Sequence, residues 1–275
     1  MVIKLRDYQR KAVEFVNAVN YALLCMRVGS GKTICAMFAL RSFFKNKKID
    51  KAIIACTKSS VNVFKGDFKE KAGMNVRLVE TTEALISFLQ NSTEKVCLVK
   101  HSMFEKAGND VLTIRALDKI SQDGLRVALV IDEAHKMQNP DGIAHEAFEH
   151  IKFLFNRIIL LTATPYSSCL SQFYGLIHLI YPKLWKSKRE FFNRYIDEVT
   201  ILSPITHRVV RKEKVRYKNL KEFRQLIEPF TYFYYPSIPL VHVEHHCQLL
   251  KEHMEEYNDL CKGILSEEDL KKINK

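Results

Sequence analysis

The chain contains no apolar run of about 18 residues, the length a helix needs to cross a bilayer. Its first residues, Met1-Val2-Ile3-Lys4-Leu5-Arg6-Asp7, lack the apolar core of a secretion signal. The seven cysteines, at 25, 35, 56, 97, 169, 247 and 261, are odd in number, scattered and without a CxxC pair. That distribution argues against a disulfide framework and suits small apolar side chains in a reducing compartment. Internal repeats and low-complexity tracts are missing too. These absences together predict a soluble, cytosolic protein with no membrane partner.

What is present is enough for a full core. At 275 residues and 47% hydrophobic, the chain can form one large domain plus an appendage. Its 43 Lys+Arg outnumber its 31 Asp+Glu, for a formal charge of +12. Clustered cations gain free energy by releasing counterions from a polyanion, so the excess favours a nucleic-acid partner without identifying one.

Short apolar runs alternate with amphipathic stretches. Buried strands are predicted at 21–26, 52–56, 76–79, 96–99, 127–131 and 158–161, and helices at 8–19, from the glycine loop to Phe44, and at 60–71, 83–90, 111–120, 143–154 and 170–180. This is the pattern of βαβ units, hence an α/β fold with a parallel sheet covered by helices on both faces. After Pro165 the character changes: 183–224 is basic and poor in strand signals. Within 208–224, eight basic residues stand against two acidic ones, at Glu213 and Glu222. An aromatic segment, Tyr232-Phe233-Tyr234-Tyr235, lies among Pro229, Pro236 and Pro239. A strand at 240–246, a helix at 249–260 and a capped helix start at Ser266 complete the reading. His242, Glu244 and His246 would share one face of that strand, but no second ligand cluster supports a metal site there.

Ligands of parallel sheets bind at the carboxyl ends of strands, and two strings stand at such ends. Gly29-Ser30-Gly31-Lys32-Thr33 follows a strand and opens a helix, the context of a phosphate-binding loop. Glycines admit backbone N–H groups to phosphates, Lys32 neutralises their oxygens, and Thr33 offers a hydroxyl to Mg²⁺. Met26 stands where the full phosphate-loop pattern has a further glycine. Asp132-Glu133-Ala134-His135 ends the strand at 127–131; Asp132 can hold Mg²⁺ while Glu133 orients and deprotonates the attacking water. Leu161-Thr162-Ala163-Thr164-Pro165 closes the next strand, where the hydroxyls of Thr162 and Thr164 can switch hydrogen bonds with nucleotide state. These strings together predict nucleoside triphosphate hydrolysis.

The order of these strings resembles the N-terminal RecA-like lobe of a superfamily 2 helicase, of the Swi/Snf-related translocase branch, in a short phage or bacterial form. Leu5-Arg6-Asp7-Tyr8-Gln9 resembles its glutamine motif, Gly29 to Thr33 its Walker A loop, and Ala55-Cys56-Thr57-Lys58 its motif Ia. Val99-Lys100-His101-Ser102 resembles motif Ib, Asp132 to His135 the DEAH box, and Leu161 to Pro165 motif III. The likeness runs from about residue 3 to about 235. Phe173 to Tyr181 and Phe191 to Tyr195 are similar to the family's helical insertion, here a basic helical insertion after motif III. The resemblance implies that Gln9 reads adenine, with ATP and Mg²⁺ as cofactors. It implies that Thr57, Lys58, His101 and Ser102 touch a nucleic-acid backbone, and that His135 couples the nucleotide site to Thr162 and Thr164. DNA, duplex rather than single-stranded, is the implied partner, in a bacterial or phage-infected cytosol.

Where the family carries an arginine pair, this chain has Phe233-Tyr234, and Tyr166-Ser167-Ser168-Cys169 alters the polar residues after motif III. The expected division is 1–168 as ATP-binding core, 169–235 as the insertion completing the lobe, and 236–275 as a linker toward a second lobe that this chain lacks. That second lobe supplies arginine fingers in the family; it would come from a separate polypeptide, or from the remainder of a longer protein of which this chain is the N-terminal part. The competing expectation is a non-catalytic, regulatory nucleotide- and nucleic-acid-binding module.

Overall fold

The strands β1 (Tyr21–Met26), β2 (Lys51–Cys56) and β5 (Val127–Ile131) carry almost nothing but apolar side chains, and both faces of each are buried. Such strands are stable only with helices on both sides. In the computed structural model, which describes residues 4–165, 170–202 and 209–235, they are interior strands of a seven-stranded sheet. The other members are β3 (Val76–Val79), β4 (Val96–Lys100), β6 (Phe155–Thr162) and β9 (Thr231–Tyr234). The order is β3-β4-β2-β5-β6-β1-β9, and every neighbouring pair is parallel. The α/β fold expected from the sequence is the one found.

Alternation along each strand splits the core in two. Ala22, Leu24, Ile54, Val130 and Leu161 face the helices α1 (Asp7–Ala18), α2 (Lys32–Lys45) and α3 (Val61–Asp67). Leu23, Ile53, Leu129, Ile131 and Leu160 face α4 (Thr82–Asn91), α5 (His101–Asn109), α6 (Val111–Gln122), α7 (Ile143–Ile151) and α8 (Leu170–Ile180). Cys25, Cys35, Cys56 and Cys97 are buried and unbridged. Burial pushes the Cys35 thiol up to about 12 and the Cys56 thiol up to about 11, so both are protonated packing groups.

Three features depart from expectation. The helix expected over 60–71 is a 3₁₀ turn (Lys58–Ser60), then α3, then a π turn (Phe68–Ala72) that buries Phe68 and ends at left-handed Gly73. Helix α5 was not foreseen. Beyond α8, the helices α9 (Lys188–Tyr195) and α10 (Leu220–Ile227) occupy the expected insertion. Between them, where strand signals were weak, β7 (Ile196–Leu202) and β8 (Val209–Tyr217) pair as a separate antiparallel ribbon. Its sequence mixes charge with β-branched residues and never forms a continuous apolar run, which is why periodicity missed it. Strand β9 was read only as an aromatic segment.

Residues Met1–Pro236 form one compact unit and Ser237–Lys275 a second. The readings at 166–169, 240–246 (with its histidines), 249–260 and Ser266 lie outside the described residues. Among the described residues no helix is long and apolar enough to cross a membrane.

Helix α5 packs so closely on α7 that a Cβ on Gly108 would fall 2.1 Å from the Ala147 carbonyl oxygen. Gly66 in α3 has nothing within 4 Å of its missing Cβ. Gly108→Ala is therefore expected to destabilise the chain by about 1–3 kcal/mol. Gly66→Ala should stabilise it by about 0.4–1 kcal/mol, with urea denaturation separating the two.

Candidate functional site

The register of the sheet brings three strand ends level. Cys25 of β1 pairs with Thr162 of β6, and Ile131 of β5 pairs with Leu160 of the same strand. The loop after β1, the turn after β5 and the end of β6 therefore share one rim.

The loop Arg27–Gly31 folds back on itself: Ser30 N and Oγ both donate to the Arg27 carbonyl, at 3.2 and 2.6 Å. Gly29 and Gly31 hold the left-handed φ values of 77° and 84° that open the loop toward α2. Lys32 Nζ donates to the Met26 carbonyl at 3.2 Å, so the ammonium lies over the loop rather than out in solvent. From the other side α1 clamps the loop. Gln9 Nε2 and Tyr8 OH both donate to the Ser30 carbonyl, at 3.0 and 3.1 Å, and Gln9 Oε1 accepts from Arg6 N at 3.0 Å. The clamp leaves no room for a side chain, since a Cβ on Gly31 would lie 2.5 Å from Gln9 Nε2.

Asp132 is 7% exposed. Burial, then the like charge of Glu133, push its carboxyl above the ordinary range; Lys32 and hydrogen bonds from the Glu133 backbone and the Ser60 side chain oppose the rise. Glu133 adopts φ 51° and ψ 49°, an unusual left-handed conformation for a residue with a side chain. That kink turns the chain into the 3₁₀ turn Ala134–Met137. His135 Nδ1 stands 3.3 Å from Glu133 Oε2 and 3.4 Å from Thr162 Oγ1. Thr162, fully buried, in turn accepts from Thr164 N at 3.1 Å. The structure thus brings Glu133, His135, Thr162 and Thr164 into one chain of contacts.

The expected nucleic-acid residues are divided. Lys58 and Ser102 are exposed, while Thr57 caps the 58–60 turn by accepting from Ser60 N at 3.3 Å. His101 opens α5 with its Nε2 buried and without a hydrogen-bond partner. Burial first, then Lys136, lower its pKa against the pull of the Asp132 and Ala55 carbonyls. Its imidazole belongs to the underside of the Asp132 turn more than to an open surface.

Sequence reasoning missed four contributors. Ser60 reaches Asp132, and Tyr8 joins Gln9 on the loop. Tyr234 stacks on Tyr8 with ring centres 3.8 Å apart and planes 8° from parallel, and Tyr232 OH donates to the Tyr8 carbonyl at 2.9 Å. The aromatic run 232–235 was the available signal, but only the parallel pairing of β9 with β1 reveals its target.

A seven-stranded parallel sheet with helices on both faces defines the class: the RecA-like α/β fold. More narrowly, the chain belongs to the SNF2-related domain family, whose model matches residues 8–275. It is 23% identical over 241 residues to mouse chromodomain-helicase-DNA-binding protein 1-like, covering 83% of this chain and 24% of that protein. It is 24% identical over 193 residues to the DNA repair and recombination protein RAD54 of Saccharomyces cerevisiae, covering 64% of this chain and 21% of that one. The chain thus spans about a quarter of such relatives, 24% and 21% of their lengths. The fold matches the Sulfolobus solfataricus SWI2/SNF2 ATPase core in complex with dsDNA with a TM-score of 0.57 at 18% identity, over 84% of this chain and 44% of that one. These relatives are eukaryotic and archaeal, and none supports the expected phage or bacterial form.

The family implies a nucleotide and, typically, Mg²⁺, and the donor set fits both. A desolvated carboxylate beside a second one is a pair that a divalent cation would relieve. The glycine cradle under Gln9 leaves backbone N–H groups free of Cβ obstruction.

The raised Asp132 carboxyl gives a signed expectation. Its ionised form costs stability above the folded pKa, and the cost vanishes below the unfolded value. At neutral pH and without nucleotide, Asp132→Asn is expected to raise Tm by ~2–4 °C, the span of about 1 kcal/mol in a domain this size. Calorimetry at pH 7.5 checks this; an unchanged or lower Tm would mean the carboxylate is well compensated.

Proposed function

We propose that this chain is the ATP-binding lobe of an ATP-dependent DNA translocase. The observation that carries the reading is the shared rim: Lys32 after β1, Asp132 and Glu133 after β5, and Thr162 ending the strand between them. Lys32 holds the β and γ phosphates, and the Gly29–Gly31 backbone with Ser30 cradles them. Thr33 and Asp132 hold Mg²⁺, which when bound screens the charge of the transferring phosphoryl group. Glu133 takes the proton of the attacking water, held beside His135 by the left-handed turn after β5. Gln9 selects adenine through its amide while Tyr8 keeps α1 locked to the loop. His135 carries the state of the site to Thr162 and Thr164, the residues to which its imidazole leads.

DNA binding is supported by the +12 charge and by the relatives' names. Thr57, Lys58 and Ser102 form the contact with the DNA backbone, and the half-buried His101 positions that surface from within. Residues 1–168 act as the core, 169–235 complete the lobe, and 236–275 lead toward a second RecA-like lobe that finishes the cleft. Opening and closing of the two lobes on DNA would give the step.

The test is Mg-ATP binding and DNA-stimulated hydrolysis, measured separately. Lys32→Ala is expected to weaken Mg-ATP binding at least tenfold. Glu133→Gln should leave binding intact and reduce turnover by about 10²–10⁴-fold wherever turnover is measurable. Unchanged nucleotide binding in Lys32→Ala would sink the assignment. For the DNA surface, Lys58→Ala should weaken duplex binding at all sequences alike and reduce the salt slope by about one.

A further inference from the structure

Three side chains that take no part in the proposed chemistry converge behind the Asp132–His135 turn. Helix α7 carries His145 and Glu149, four residues apart and therefore on one face. Helix α8 brings His178 to them, and one donor atom from each of the three lies within 4.8 Å of the other two. His145 Nε2 and His178 Nδ1 are 3.3 Å apart. In a tetrahedral zinc site with bonds of about 2.0–2.1 Å, two nitrogen ligands stand about 3.3–3.4 Å apart.

The surroundings match what a metal-binding histidine needs. His145 is only 3% exposed, and its Nδ1 sits 3.0 Å from the Met137 carbonyl oxygen. The Nδ1–H donates there, which fixes the tautomer and leaves the Nε2 lone pair directed at His178. Burial lowers the pKa of both imidazoles; Glu149 opposes this and Lys152 adds to it at His178, while at His145 the Met137 carbonyl opposes it as well. The Tyr174 ring closes one side of His178 at 5.5 Å.

We propose that His145, Glu149 and His178 bind one divalent cation of the zinc class through two imidazole nitrogens and a carboxylate oxygen. Two nitrogens and one oxygen favour zinc and its neighbours over magnesium or calcium, which prefer all-oxygen shells. The carboxylate has to close from within 4.8 Å toward a ligand separation of about 3.4 Å, releasing Lys152 Nζ, which stands 3.3 Å from Glu149 Oε1. The cation ties α7 to α8, and through the Met137 carbonyl it braces the turn that carries His135. Helix α8 already touches the end of that turn, where a Cβ on Gly175 would fall 1.6 Å from the Gln138 carbonyl oxygen. The role is structural, separate from the Mg²⁺ proposed at Asp132.

The test is titration of the metal-stripped full chain with Co²⁺, read by its visible ligand-field absorption, and with Zn²⁺ by competition. One equivalent is expected, with Zn²⁺ raising the Tm of the wild type. His178→Ala and Glu149→Gln, half-buried positions with little cost to folding, should each weaken binding at least tenfold and abolish the Tm shift. Lys152→Met should tighten it. The doubly substituted His242→Ala, His246→Ala chain should bind as the wild type does. A site that survives His178→Ala, disappears with the His242 and His246 pair, or gives no Co²⁺ absorption overturns the proposal and leaves a simple hydrogen bond between the two histidines.

Discussion

Because β1, β5 and β6 are covered on both faces, polar side chains have no place along their buried runs, and charge is first tolerated where each strand leaves the sheet. Asp132 takes the first position beyond β5, Lys32 stands one short loop beyond β1, and Thr162 is the last residue of β6. The parallel registers then set these ends side by side. The functional rim is in this sense a product of the core. Shifting β5 by one residue would exchange the faces presented by Val130 and Ile131 and withdraw Asp132 from the rim at the same time.

The rim is assembled at some cost in stability. Asp132 is desolvated beside a like charge, Glu133 sits in a left-handed conformation, and His101 keeps a buried nitrogen without a partner. Each would be unfavourable in a chain selected only for stability. Their concentration around one turn is the structural mark of a site, and the apolar clusters on the two faces of the sheet hold it in place.

How much of this could be read in the sequence depended on burial. The central strands were legible because full burial writes a continuous apolar run, and α1, α4 and α6 because a single apolar stripe recurs at helical spacing. The ribbon β7–β8 stands apart from the main sheet, so nothing imposes an apolar run on it. Helix α5 is short and begins with His101-Ser102, a polar start that reads as loop. At the candidate site, the placement of Lys32, Asp132 and Glu133 at strand ends was legible because it depends on neighbours in sequence. Ser60, Tyr8 and Tyr234 were not, because their importance lies in partners distant along the chain. His101 was legible as a position in a motif, while its inward-facing ring was not.

The stack of Tyr8 on Tyr234, with Tyr232 reaching the Tyr8 carbonyl, joins the first helix to the last described strand. Strand β1, which carries the Gly29–Thr33 loop, has both its sheet neighbours, β6 and β9, far downstream. During synthesis the N-terminal part of the chain therefore leaves the ribosome long before its partners exist. Contacts of such sequence separation form late. The Gly29–Thr33 loop is translated well before β6 and β9 and is among the last segments of the sheet to become rigid. Until β9 arrives, the helix that clamps the Gly29–Thr33 loop lacks the stack that braces it, so the loop reaches its final rigidity only when the sheet is complete.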